Sequence, residues 1–214
     1  GEKRIVPMVD MFNHGAEPEV VVQYDKEGNC MAYAMKDVPA GCPLRLSYGD
    51  PLDPSPLFAQ YGFLDESSPA TFCKLMHVQG VMRDLGYSYS DLLFFKNGDV
   101  SMEVYDVLLC DVLTQVGEQN LLAGFYDACM RGDAEAKNSY HEQCFPYTVE
   151  ALQKHVDGTL RTLDVLSERA RGYDLNTHPR VPVILRHNAF VKDTFLRVKA
   201  NVDAMAAQCS EAPQ

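Results

Sequence analysis

Two apolar stripes near the C-terminus constrain the fold of this chain more than any other feature. Val149, Leu152, Val156, Leu160, Leu163 and Leu166 recur three to four residues apart, and Val191, Phe195, Val198, Val202 and Met205 repeat that rhythm. Residues three and four apart share one face of an α-helix, so each stripe predicts a long amphipathic helix, over 146–172 and 190–205. A stripe of this length leaves water only by meeting another apolar surface, so the two helices are expected to pack on each other. Val104, Val107, Leu108, Val112 and Leu113, then Leu121, Leu122, Phe125 and Met130, predict further helices beyond Ser101.

The first part of the chain has a different rhythm. Glu19 to Asp25 is rich in β-branched residues, Lys26-Glu-Gly-Asn29 is turn-forming, and Cys30 to Met35 continues the strand pattern, which together predict a hairpin. Val38-Pro-Ala-Gly41 predicts a tight turn into a strand over Pro43 to Tyr48, with Leu44, Leu46 and Tyr48 on one face. Gly49 to Pro54 breaks that strand, and Asp53 or Ser55 is placed to cap a short helix running through Gln60. Thr71 to Val78 and Leu92 to Phe95, the latter before the turn Lys96 to Asp99, read as two more strands. A mixed β segment followed by helices predicts two domains, with a boundary between Asp65 and Ser101, and no internal repeat is present.

Composition narrows the function classes. With 46% apolar residues in 214, the chain can bury a substantial core. A net charge of −11 argues against a phosphate-binding surface and hence against nucleic acid, while leaving a basic protein segment as a partner. The seven cysteines include no CxxC pair, which fits a reducing compartment better than a disulfide framework. No apolar run approaches the roughly twenty residues of a membrane span. His141 and Cys144 lie three apart with no second pair to complete a zinc site, so no metal is expected. There is no phosphate loop, nucleophile elbow or zinc-protease helix.

Three short pieces near the N-terminus add a resemblance. Pro7-Met-Val-Asp-Met-Phe-Asn-His14 resembles the PxxDxxNH signature of SET-domain methyltransferases, in the branch of the Rubisco large-subunit lysine methyltransferase. Leu44-Arg-Leu-Ser-Tyr-Gly49 resembles that family's tyrosine strand, and Leu57-Phe-Ala-Gln-Tyr-Gly-Phe63 its LLxxYGF helix end. The resemblance implies an α+β chain: residues 1–69 as the C-terminal part of a β-rich SET fold, and 70–214 as an all-α substrate-binding domain. The chain opens on Gly1 and runs at once into an apolar segment, and is read as a fragment lacking the first half of the SET domain.

The family's chemistry then follows by implication. The cofactor would be S-adenosylmethionine, with Asn13 and His14 against its amino-acid and adenine portions. Tyr48 would be catalytic, its phenol oxygen aligning an amine and touching polarised methyl C–H groups; a phenol is a poor general base near neutral pH, so orientation is its task. Asp10 and Tyr61 would line the channel for the incoming side chain. The partner would be a protein carrying an acceptor lysine, or alternatively a histidine, and the chain is read as a monomer. A non-catalytic interaction module is the competing class. Taken singly the same residues have plainer uses: Asn13-His14 as a turn dipeptide, Tyr48 packing with its hydroxyl on a backbone carbonyl, Tyr61 anchoring a helix end, Asp10 capping a turn. Gly15 stands where the family usually has Ser, with little expected consequence, and Asp53-Pro54 stands where relatives place Ser-Asn.

Overall fold

Asp25 shapes the first hairpin. Its carboxylate accepts the amide N–H of Glu27 at 2.9 Å and of Asn29 at 2.8 Å, and Gly28 supplies the left-handed backbone, φ 86°, that closes the turn. On either side run β2 (Val20–Tyr24) and β3 (Cys30–Ala34), antiparallel with Val20 opposite Ala34. The computed structural model describes residues 5–49, 52, 55–72 and 75–211, and the chain divides into two units, Gly1–Ser68 and Pro69–Gln214.

In the first unit, β1 (Asn13–His14) and β4 (Arg45–Leu46) join the hairpin in a sheet of order β1-β4-β2-β3, with β4 parallel to both of its neighbours. The expected strand over Pro43 to Tyr48 is therefore only two residues long, and Leu44, 44% exposed, does not join a buried face. Pro43 has no amide hydrogen with which to extend the ladder, and β1 beside it is equally short. A charged clamp fixes β4 instead. The buried Glu19 carboxylate accepts from the Arg45 backbone N–H at 3.0 Å, from Nε at 3.1 Å and from Nη2 at 2.7 Å. These Arg45 hydrogen bonds hold the Glu19 carboxyl down to about 2. Beyond the sheet, α1 (Ser55–Tyr61) buries Leu57 and stops at Gly62, whose φ of 77° turns the chain after Tyr61. Asp53 and Pro54, the departure from the family pattern, lie outside the described residues.

The second unit is not all-α. It opens on a two-stranded antiparallel sheet, β5 (Ala70–Phe72) with β6 (Leu93–Phe95), in which Ala70 faces Phe95. The strand expected over Thr71 to Val78 ends at Phe72, and Met76–Val78 is a 3₁₀ turn leading into α2 (Gln79–Asp84). Four longer helices follow: α3 (Met102–Val116), α4 (Gln119–Arg131), α5 (Ala134–Arg171) and α6 (Val181–Glu211). Helix α5 starts well before Pro146. Asp133 caps it by accepting the Ala136 N–H at 3.0 Å, and the helix runs through Pro146, which forgoes a single bond to the Glu142 carbonyl.

The expected packing of the two long helices is present. Ser167 meets Asn188, Asp164 meets Lys192, Asp157 meets Lys199 and Gln153 meets Asp203, so each step back along α5 is a step forward along α6, an antiparallel hairpin. Val149, Leu152, Val156 and Leu163 are buried from α5, and Val191, Phe195, Val198 and Val202 from α6. Phe195 also stacks at 4.6 Å on the fully buried Phe94 of β6, which ties the small sheet to the hairpin.

His155 on α5 lies against both rings, 5.8 Å from Phe94 and 6.2 Å from Phe195, and its Nε2 is buried without a hydrogen-bond partner among the described residues. Burial, with a smaller push from His77, lowers its folded pKa to about 4. The unfolded chain then binds the extra proton first as pH falls below the ordinary histidine value. Stability is accordingly lost between about 6.5 and about 4, up to about 3 kcal/mol. Replacing His155 by Phe is expected to flatten that part of the stability profile, as followed by urea melts across the window. A profile that kept its slope would assign the acid sensitivity to another group.

Candidate functional site

Of the residues the sequence singles out, His14, Tyr48 and Tyr61 come from three separated segments of the first unit and meet, with Phe63, in one cluster of four rings, whereas no described contact brings the Asp10 or Asn13 side chain into it. The Tyr48 ring lies 5.6 Å from His14 and 5.0 Å from Tyr61, and Phe63 closes the group at 5.6 Å from His14 and 6.1 Å from Tyr61. Local backbone explains the convergence. β1 and β4 are adjacent parallel strands, so His14 and the residues just past Leu46 emerge at the same sheet end. The left-handed Gly62 then lets Tyr61 and Phe63, on either side of it, both reach that end.

His14 is pinned through both ring nitrogens. The Tyr48 backbone N–H donates to Nδ1 at 3.2 Å, so Nδ1 carries no proton and Nε2 carries it; Nε2–H in turn donates to Asp65 Oδ2 at 3.1 Å. Burial pushes the Asp65 carboxyl up, but the Ser67 hydroxyl and His14 pull it further down, so it stays ionised as the acceptor. Asp65 and Phe63 are the site residues that sequence reading did not assign. Phe63 lies within the quoted helix-end motif; Asp65 shows only as an Asp-x-Ser turn, and nothing in its spacing tells that it reaches a histidine 51 residues earlier. Asp65→Ala is expected to release the ring. Two-bond nitrogen–proton spectra should turn from a single Nε2–H tautomer to a mixture, with about 1 kcal/mol of stability lost. An unchanged tautomer would mean that Tyr48 alone sets it.

Tyr48 is half-buried and its hydroxyl donates to the Phe12 carbonyl, leaving the oxygen's lone pairs available as acceptors. Asn13 is exposed beside His14, and its carboxamide makes no hydrogen bond among the described residues. Tyr61 is 48% exposed, with its ring against Tyr48 and Phe63 and about half of its surface open to solvent. Asp10 stands in a 3₁₀ turn, Val9–Met11, where its exposed carboxylate accepts the Val6 N–H at 2.7 Å and so caps its own turn. Gly15 has more consequence than expected, because a Cβ there would meet Arg45 Cβ and Cδ at 2.9 Å and disturb the residue that clamps β4. A serine at this position would force the Glu19–Arg45 pair to shift.

In the second unit, His141 of the His141–Cys144 pair belongs to a structural network, and Cys144 is buried in the core. Asp106, fully buried on α3, accepts from Tyr87 at 2.6 Å, from Lys137 at 2.5 Å and from His141 Nε2 at 2.7 Å. Burial raises the Asp106 carboxyl, yet these three donors outweigh it and keep it ionised. Burial likewise pushes the Cys110 thiol up to about 12 and the Cys129 thiol up to about 11, which makes both unreactive near neutral pH. Among the described residues no cluster of His, Cys, Asp and Glu is arranged to hold a metal ion, and no helix is long and apolar enough to cross a membrane. No protein-family model, curated protein or solved structure matches the chain.

Proposed function

We propose that the first unit carries part of the active site of an S-adenosylmethionine-dependent protein-lysine N-methyltransferase, as the C-terminal portion of a SET-type domain. The observation that carries the reading is the meeting of His14, Tyr48 and Tyr61 in one cluster, since each comes from a different one of the three resembling segments. S-adenosylmethionine, when bound, supplies a methyl group on a positively charged sulfonium. Asn13, with its free exposed carboxamide, and the segment around His14 fit the polar parts of such a ligand. A contact through the His14 ring nitrogens would have to replace the Tyr48 or Asp65 bond. The Tyr48 oxygen, held by donation to Phe12, keeps its lone pairs for an acceptor amine, and the Tyr61 face guides the side chain that bears it. The exposed Asp10 carboxylate adds attraction for an ammonium group before it loses its proton.

Met31, Tyr33 and Met35, on one face of β3 and its continuation, are 37%, 44% and 60% exposed, apolar surface that suits cover by the other half of a SET-type domain. The second unit, in this reading, helps to hold the protein substrate. Histidine is an alternative acceptor. A non-catalytic interaction module is favoured by one observation: the Tyr48 hydroxyl and both His14 nitrogens are already satisfied internally. Calorimetry and transfer assays decide between these readings. The 214-residue chain alone should bind S-adenosylmethionine weakly, and the full-length protein should bind it and label lysine in a protein substrate. Low-micromolar binding by the chain alone would misplace the cofactor wall, and absence of transfer by a full-length protein that binds cofactor would favour the interaction module.

A further inference from the structure

Where α5 hands over to α6, the long hairpin ends in an open, largely apolar groove of about 570 Å³. Leu166, Tyr173 and Ile184 line it and are 47%, 41% and 38% exposed, so the α5 stripe predicted to be core does not close over its last residue. The connecting loop has its own internal bonds. Asp174 accepts the Asn176 N–H at 3.0 Å, its carbonyl accepts the Thr177 hydroxyl at 3.0 Å, and Tyr173 stacks on His178 at 4.7 Å. The groove is thus formed before any partner arrives, which lowers the ordering cost of binding.

Its charge says what it fits. Arg169 and Arg180 both line the groove, and their guanidinium groups make no ion pair or hydrogen bond among the described residues. Nearby cations are committed: Arg171 to Glu168 and Lys192 to Asp164. In a chain of net charge −11, two uncommitted guanidiniums beside exposed apolar surface complement an acidic partner. We propose that this groove docks an acidic, apolar peptide segment of another protein, its leucine- or phenylalanine-type side chains filling the cavity and its carboxylates meeting Arg169 and Arg180. The inference stands on the second unit alone and does not depend on the methyl-transfer reading.

The test uses the whole chain and a fluorescent synthetic peptide of leucine and glutamate at helical spacing, with glutamine and lysine versions of the same peptide. Anisotropy should show saturable binding of the glutamate peptide, weakened at least about tenfold by the glutamine exchange and abolished by the lysine exchange. The double variant R169E/R180E, whose changes lie on the surface and should leave helicity by circular dichroism intact, should reverse the preference toward the lysine peptide. Equal binding of all three peptides, or undiminished glutamate-peptide binding by the double variant, would overturn the proposal. So would a concentration-dependent dimer, seen by sedimentation, that the double variant abolishes, since the groove would then belong to a second copy. Saturable uptake of decanoate that competes with the peptide would reassign it to a small apolar acid and overturn it equally.

Discussion

Tyr48→Phe in the full-length protein is expected to lower methyl transfer by about two to three orders of magnitude while leaving cofactor affinity nearly unchanged. The Tyr48 oxygen is proposed to meet the amine and the transferring methyl, whose charges change only as the reaction proceeds, so its loss should be felt in turnover. Asn13 is proposed to touch parts of the cofactor that do not react, so Asn13→Ala should show as weaker binding instead. The structure adds a second, separable effect. The Tyr48 hydroxyl donates to the Phe12 carbonyl, so the phenylalanine variant also strands an acceptor at a half-buried site, a loss of about 1 kcal/mol of stability. Turnover, cofactor titration and a urea melt on the same preparation separate the two. A stability loss with near-native turnover would make the hydroxyl a strut and remove Tyr48 from the chemistry.

Asp106→Ala is expected to cost the second unit about 3–5 kcal/mol, the largest stability effect of any single replacement considered for this chain. Asp106 is fully buried and is the shared acceptor of Tyr87, Lys137 and His141, so its removal takes the one shared acceptor from a half-buried ammonium and two further half-buried donors. Asp106→Asn, which keeps one acceptor oxygen but no charge, should lose less. The sign with pH follows from the lowered carboxyl. The unfolded chain takes up the proton first, so the contribution is complete above the ordinary carboxylate range and fades as pH falls below it. Denaturant melts of both variants at neutral and acid pH measure this. A change within about 1 kcal/mol at neutral pH would show that solvent reaches and compensates the three donors.

These two residues mark the difference between what spacing reveals and what it hides. Tyr48 is legible because it sits in a short local pattern, and the hairpin around Asp25 is legible because turn residues act over four positions. The long helices are legible because apolar side chains three and four apart must share a face. Asp106 has no such signature. It falls inside an apolar helical stretch where a charge looks misplaced, and only the arrival of Tyr87, Lys137 and His141 from elsewhere in the chain makes it tenable.

By itself, the sequence determined the hairpin and the pairing of two long amphipathic helices, because each follows from contacts within a few residues or from one helix face. Tertiary structure alone decided the rest. It shortened the expected strand over Pro43 to Tyr48 to Arg45–Leu46, paired the two strands expected near Thr71 and Leu92 with each other inside the second unit, joined His14 to Asp65, and left Leu166 and Met130, both in predicted apolar helix patterns, 47% and 57% exposed. The physical reason is common to all four. An apolar periodicity states which face of an element is to be covered, and a polar side chain states that it needs a partner. Whether the cover or the partner is present depends on segments tens of residues away, which local spacing does not encode.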